Sequence, residues 1–119
     1  MEQNNQIQKK VPHDADAEQA VLSSILMDKD AAAEAFELLK TDDFYSPENR
    51  EVFRAALQLY TKGDPIDVVT VKNQLEENGV FAEIGGVETL ANIAAAVGSS
   101  VNVKSYAKIV EEKSVLRRL

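Results

Sequence analysis

No cysteine and no tryptophan occur in this chain, and His13 is its only histidine. A tetrahedral zinc site needs several thiolates or imidazoles, so the inventory excludes one, and nothing points to an oxidising compartment. Long apolar runs are missing too, none approaching the roughly 20 residues that cross a bilayer. Met1 to Lys10 carry amides and charges where a secretory leader has an apolar segment. These absences predict a soluble, cytoplasmic protein with no membrane partner. A surplus of positive charge is also lacking: 13 basic against 20 acidic residues give a net charge of -7. Such a chain repels phosphate on average, so strong nucleic-acid binding by it alone is not expected. What remains suits one domain: 119 residues, 45% of them hydrophobic, can build a core without metals or disulfides.

Motifs that carry chemistry are equally scarce. Neither G-x-x-x-x-G-K-[ST] nor G-x-G-x-x-G occurs. Gly85-Gly86 has no lysine after it and reads as a turn between helices. Asp42-Asp43 and Glu76-Glu77 are sequence neighbours that point to different sides of a helix, and both pairs read as solvated surface. His13 has no serine or cysteine fixed beside it. The aromatic residues Phe36, Phe44, Tyr45, Phe53, Tyr60, Phe81 and Tyr106 are not interleaved with Lys or Arg as a base-stacking groove requires, so most are expected in the core. A helix-turn-helix over 47–79 would offer DNA only Lys72 among Asp67, Glu76 and Glu77. No catalytic, cofactor-binding or metal-ligating residue is assigned, and no cofactor is expected.

Helix punctuation, by contrast, is plentiful. Residues 1–11 are polar and aperiodic and read as a disordered tail. Asp16 and Gln19 have capping-box spacing, followed by Val21, Leu22, Ile25 and Leu26 on one face. A second helix is expected after Asp30, turning Ala33, Phe36 and Leu38 or Leu39 inward. Ser46-Pro47 supplies a cap and a first-turn proline for a helix with the stripe Val52, Phe53, Ala56, Leu57 and Tyr60. Gly63 and Pro65 end it. Asp67 caps a helix with Val68, Val71 and Leu75, stopped at Asn78-Gly79. After Gly85-Gly86 come Val87, Leu90, Ala91, Ala94 and Val97, then a break at Gly98-Ser99-Ser100. Asn102 is expected to cap a last helix reaching Leu119.

The expected fold is therefore all-α, a compact bundle of about six helices. The last segment differs from the body before it. Lys104, Lys108, Lys113, Arg117 and Arg118 outweigh Glu111 and Glu112, whereas residues 66–101 hold five acids and one base. Its apolar residues Tyr106, Ile109, Val110 and Leu116 do not all point to the core of the earlier helices. No glycine, asparagine or proline closes it, as though it were cut from something longer.

Four strings in register carry a family resemblance. Pro12-His13-Asp14 through Ala17-Glu18-Gln19-Ala20-Val21-Leu22 is similar to P-H-x-x-x-A-E-x-x-V-L-G, with Ser23 in place of the glycine. Asp43-Phe44-Tyr45, Asn49-Arg50 and Val52-Phe53 resemble D-F-Y-x-x-x-[HN]-R-x-[IV]-F. Gly63-x-Pro65-Ile66-Asp67 with Thr70-Val71 resembles G-x-P-[IV]-D-x-x-T-[VL]. Gly85-Gly86, Asn102, Tyr106-Ala107, Ile109-Val110 and Leu116-Arg117-Arg118-Leu119 match the closing pattern, although Gly98 stands near a more usual proline. The pattern is that of the amino-terminal domain of bacterial replicative DNA helicases of the DnaB family.

The resemblance implies a parent that unwinds duplex DNA with ATP and magnesium in a separate carboxyl-terminal motor domain, which this chain lacks. It implies a collar role: assembly with other helicase subunits, typically as a trimer of dimers, and docking of the primase helicase-binding domain and of loading factors. It divides the chain into a helical head, 12–101, and the first helix of a truncated assembly hairpin, 102–119. Tyr106, Ile109, Val110, Lys113, Leu116 and Arg117 are then the candidate assembly and partner surface. The other reading the residues allow is a free-standing helical interaction adaptor without a motor.

Overall fold

The computed structural model describes residues 11–96 and 100–119. The expected tail, apart from Val11, lies outside the described residues, as do Val97 of the expected apolar face and Gly98 and Ser99 of the expected break. Six α-helices are described: α1 Ala15–Met27, α2 Lys29–Leu38, α3 Pro47–Lys62, α4 Val68–Glu77, α5 Gly86–Ala94 and α6 Val103–Arg118. Short 3-10 turns, Thr41–Asp43 and Ser100–Asn102, precede α3 and α6. There is no strand among the described residues, so the β-branched run at 66–71 enters a helix.

α1 is the central element, packed against α2, α3, α5 and α6. That explains its composition: Ala17, Ala20, Val21, Leu22, Ser23, Ser24 and Ile25 are all buried, which leaves little of an outward face. Leu26 is only half-buried. The cap is Asp14, not Asp16. Asp14 is in extended conformation and its Oδ1 accepts from the Ala17 N–H at 3.0 Å, while Asp16 lies inside the first turn. Likewise α2 starts two residues earlier than expected, because Asp28 both ends α1 and caps α2, accepting from the Asp30 N–H at 2.8 Å.

Several helices are rotated from their expected phase. In α2 the small residues Ala31, Ala32 and Ala35, with Leu39, face the core, and this lets α2 approach α1 and α6 closely. Ala33 and Phe36 sit at its edge and Leu38 is exposed. α3 buries Val52, Phe53 and Ala56 as expected, and also Ala55 and Leu59, while Leu57 is half-buried and Tyr60 exposed. α4 buries Val71 and Leu75 but leaves Val68 exposed. In α5 the inward pair is Leu90 and Ile93; Val87, Ala91 and Ala94 face outward. A nine-residue helix buries one narrow stripe, and alanine gives little signal for its phase.

Most of the remaining punctuation stands where expected. Ser46 accepts from the Asn49 N–H at 3.3 Å and donates to Glu48 at 2.7 Å, which holds that carboxyl below its ordinary pKa. Asp67 and Thr70 form a reciprocal capping box at 2.9 Å each way. Gly63, at φ 77°, closes α3, with the Asp64 N–H reaching the Leu59 carbonyl at 2.9 Å. Asn102 stands at the cap position of α6 but makes no side-chain cap bond.

Gly85 is the strictest position. Its φ is 105°, and a Cβ there would collide with Thr89 Oγ1, whose hydroxyl donates to the Ile84 carbonyl at 2.6 Å. Gly85→Ala should therefore lower stability by about 1–3 kcal/mol, read as a fall in the thermal midpoint. An unchanged midpoint would show that the turn relaxes freely.

Candidate functional site

The last helix is built in two parts. Val103, Ala107 and Val110, spaced four and three residues apart, turn inward and are buried in the same core as α1 and α2. Tyr106 and Ile109 are half-buried and pack against that core. The expected surplus of apolar surface is thus smaller than the sequence implies. Val110 is 1% exposed and belongs to the core, not to a surface. The two segments expected as head and hairpin share one core.

Beyond Val110 the adhesion changes character. The next inward residue is Ser114, buried, whose hydroxyl donates to Asp43 Oδ1 at 2.8 Å. Asp43 Oδ2 accepts from the Lys40 N–H at 2.7 Å, which closes the 3-10 turn. Arg117 donates to the carbonyls of Pro12 at 2.8 Å and Asp43 at 2.7 Å, and its guanidinium lies 5.4 Å from the centre of the Tyr45 ring. Arg118 donates to Ser114 Oγ at 2.7 Å and lies 3.6 Å from Asp43 Oδ1. His13 stacks on Tyr45 with ring centres 4.2 Å apart. Asp43 is therefore a buried junction, where the sequence suggested solvated surface; Glu76 and Glu77 are indeed exposed.

A second buried carboxylate lies nearby in the fold. Glu18, 2% exposed, accepts from the Tyr45 N–H at 2.7 Å, the Ser46 N–H at 3.3 Å and Asn49 Nδ2 at 2.9 Å. It pins α1 to the start of α3. Arg50 reaches the Phe44 carbonyl at 3.4 Å. The strings around Pro12-His13, Glu18, Asp43-Phe44-Tyr45 and Asn49-Arg50, far apart in sequence, thus converge with Arg117 around one loop. Nothing in this arrangement presents a reactive group to an open cleft. Among the described residues no group of His, Asp or Glu side chains is placed to hold a metal ion.

Of the six residues expected at a partner surface, Leu116 is exposed; Tyr106, Ile109, Lys113 and Arg117 are half-buried; Val110 is buried. Two further apolar residues, Val115 and Leu119, accompany Leu116 on the outside, and Glu111 and Glu112 border the recess it shares with Val115. The sequence held no clear signal for Val115, because its exposure follows from the inward turn of Ser114.

The family model described as DnaB-like helicase N terminal domain matches residues 10–112. This chain belongs to that family. The DnaB relatives it resembles include the replicative DNA helicase DnaC of Bacillus subtilis (strain 168), 44% identical over 108 residues. The replicative DNA helicase DnaB of Geobacillus stearothermophilus is 45% identical over 108 residues. Each alignment covers 91% of this chain and 24% of the relative, so the chain spans about a quarter of their length. In fold it is similar to the N-terminal domain of DnaB helicase from Mycobacterium tuberculosis, with a TM-score of 0.90 and 43% identity over 92% of this chain and 79% of that one. The N-terminal domain of DnaB helicase from Helicobacter pylori, whose structure was described together with its interactions with primase, gives a TM-score of 0.73 and 27% identity over 87% and 80% of the two chains. The DnaB-type fold is all-α here, as the punctuation predicts. No helix among the described residues is long and apolar enough to cross a membrane.

Proposed function

We propose that this DnaB-type domain is the collar module of a replicative DNA helicase, acting by assembly and docking and not by catalysis. The observation that carries the reading is the family match across residues 10–112 in a chain whose buried polar groups serve to join helices. ATP and magnesium would act in the motor domain of the parent, and the domain alone neither hydrolyses ATP nor unwinds DNA. Its partners are other helicase subunits in a trimer-of-dimers collar, the helicase-binding domain of primase, and a loading factor. The setting is the cytoplasm, at the replication fork. Net charge of -7 keeps direct DNA affinity weak.

The candidate surface is the outer face of α6: Leu116 with Val115, flanked by Lys113 and, farther up, Ile109 and Tyr106. Apolar residues grouped on a helix beside charge are the usual core and rim of a protein interface. The test is sedimentation velocity over a wide concentration range. Concentration-dependent self-association is expected, and Leu116→Asp should weaken it by roughly tenfold or more, since a desolvated apolar anchor carries about 1.4 kcal/mol or more. Association untouched by Leu116→Asp would place the interface elsewhere. A strictly monomeric chain would favour the adaptor reading.

A further inference from the structure

We infer that the distal part of α6, Ser114 to Leu119, is a releasable strap, held by a polar clasp on Asp43 and Tyr45 and able to lift while the head stays folded. The ground is a change of adhesion along one helix. Val103, Ala107 and Val110 are anchored by burial in the core, and pulling them out would expose apolar surface and open cavities. From Ser114 onward the contacts to the head are of another kind: the Ser114 hydroxyl on Asp43, Arg117 on two backbone carbonyls and over Tyr45, Arg118 beside Asp43. The apolar residues of that part, Val115, Leu116 and Leu119, face outward and hold nothing down.

When such contacts open, water replaces each partner, so the net free energy of each is small beside that of an emptied core position. Resistance to opening therefore steps down at Ser114, at the border between the two kinds of contact. The docking of this segment depends on a carboxylate 71 residues away in the chain, so a change at that carboxylate alters its opening. The strap carries Leu116 on its outside and Arg117 in the clasp. Whatever engages Leu116 or competes for the Arg117 guanidinium thus shifts the balance between docked and lifted forms. This bearing on docking rests on the function proposed above; the strap itself does not.

The test is amide hydrogen exchange by NMR on the chain alone, so that a failure of partner binding leaves it unaffected. Asp43→Asn and Arg117→Gln should each speed exchange of the Val115 to Arg118 amides about tenfold, with the Ala107 to Val110 amides unchanged. Asp43 also closes the 3-10 turn through Lys40, and Arg117→Gln leaves that bond intact, so the second variant separates loss of the clasp from loss of the turn. If Arg117→Gln speeds both groups of amides together, or neither, α6 opens as one unit and the strap does not exist.

Discussion

Glu18→Ala should destabilise the domain by about 3–5 kcal/mol, the largest effect expected of any polar substitution here. The carboxylate is 2% exposed and receives three donors, the Tyr45 and Ser46 N–H groups and Asn49 Nδ2. Alanine would leave all three without an acceptor in a space closed to bulk water, and an orphaned buried donor costs roughly 1–3 kcal/mol. The contributions do not add fully, since the start of α3 can shift to let water in. For a small domain stable by about 5–15 kcal/mol the loss is still severe. Urea denaturation should show a lower midpoint with an unaltered slope. Glu18→Gln should recover part of the loss, because its amide keeps one acceptor oxygen but faces the other donors with N–H groups. An unchanged midpoint for the alanine variant would mean the three donors find water readily, and that Glu18 does not pin α1 to α3.

Phe53→Ala should lower stability by a similar amount, about 3–5 kcal/mol, through a different mechanism. Phe53 is fully buried, with its ring 4.8 Å from that of Phe44 and 5.3 Å from that of Phe36. It joins α3 to the loop bearing Phe44 and to the edge of α2. Removing it leaves a cavity among rings that cannot all collapse, because Phe44 is fixed by its neighbours Asp43 and Tyr45 in the clasp. Phe53→Leu should retain much of the stability by filling part of that space. Equal stability of the alanine variant and the parent would contradict the placement of this ring at the centre.

The helix count and most boundaries were legible because they are written in local chemistry. Ser46-Pro47, Gly63, Asp67 and Asn78-Gly79 each act within a turn of themselves, and each stands where expected. Phase was less legible. α2 and α5 are rich in alanine, which suits either face, so Ala32 and Ala35 could not be told from Ala33, nor Ile93's stripe from that of Ala91 and Ala94. The polar junctions were not legible at all. Nothing local tells that Asp43 is buried under a serine 71 residues later, or that Glu18 accepts from a loop 27 residues away. Asp42 and Asp43 look alike in sequence, and only tertiary packing separates them. Of the residues expected at a partner surface, Leu116 is exposed, whereas Val110 is buried in the core. Helical spacing places Val110 beside Ala107 on the buried face, a relation the basic residues around it obscure.

Calorimetric titration with the helicase-binding domain of primase tests most directly whether this chain is a docking module. Saturable binding is expected at moderate salt, weakened about tenfold or more by Leu116→Asp. The same chain should show no comparable affinity for single-stranded DNA under those conditions. No heat of binding to the primase domain, together with tight binding to DNA, would contradict the account.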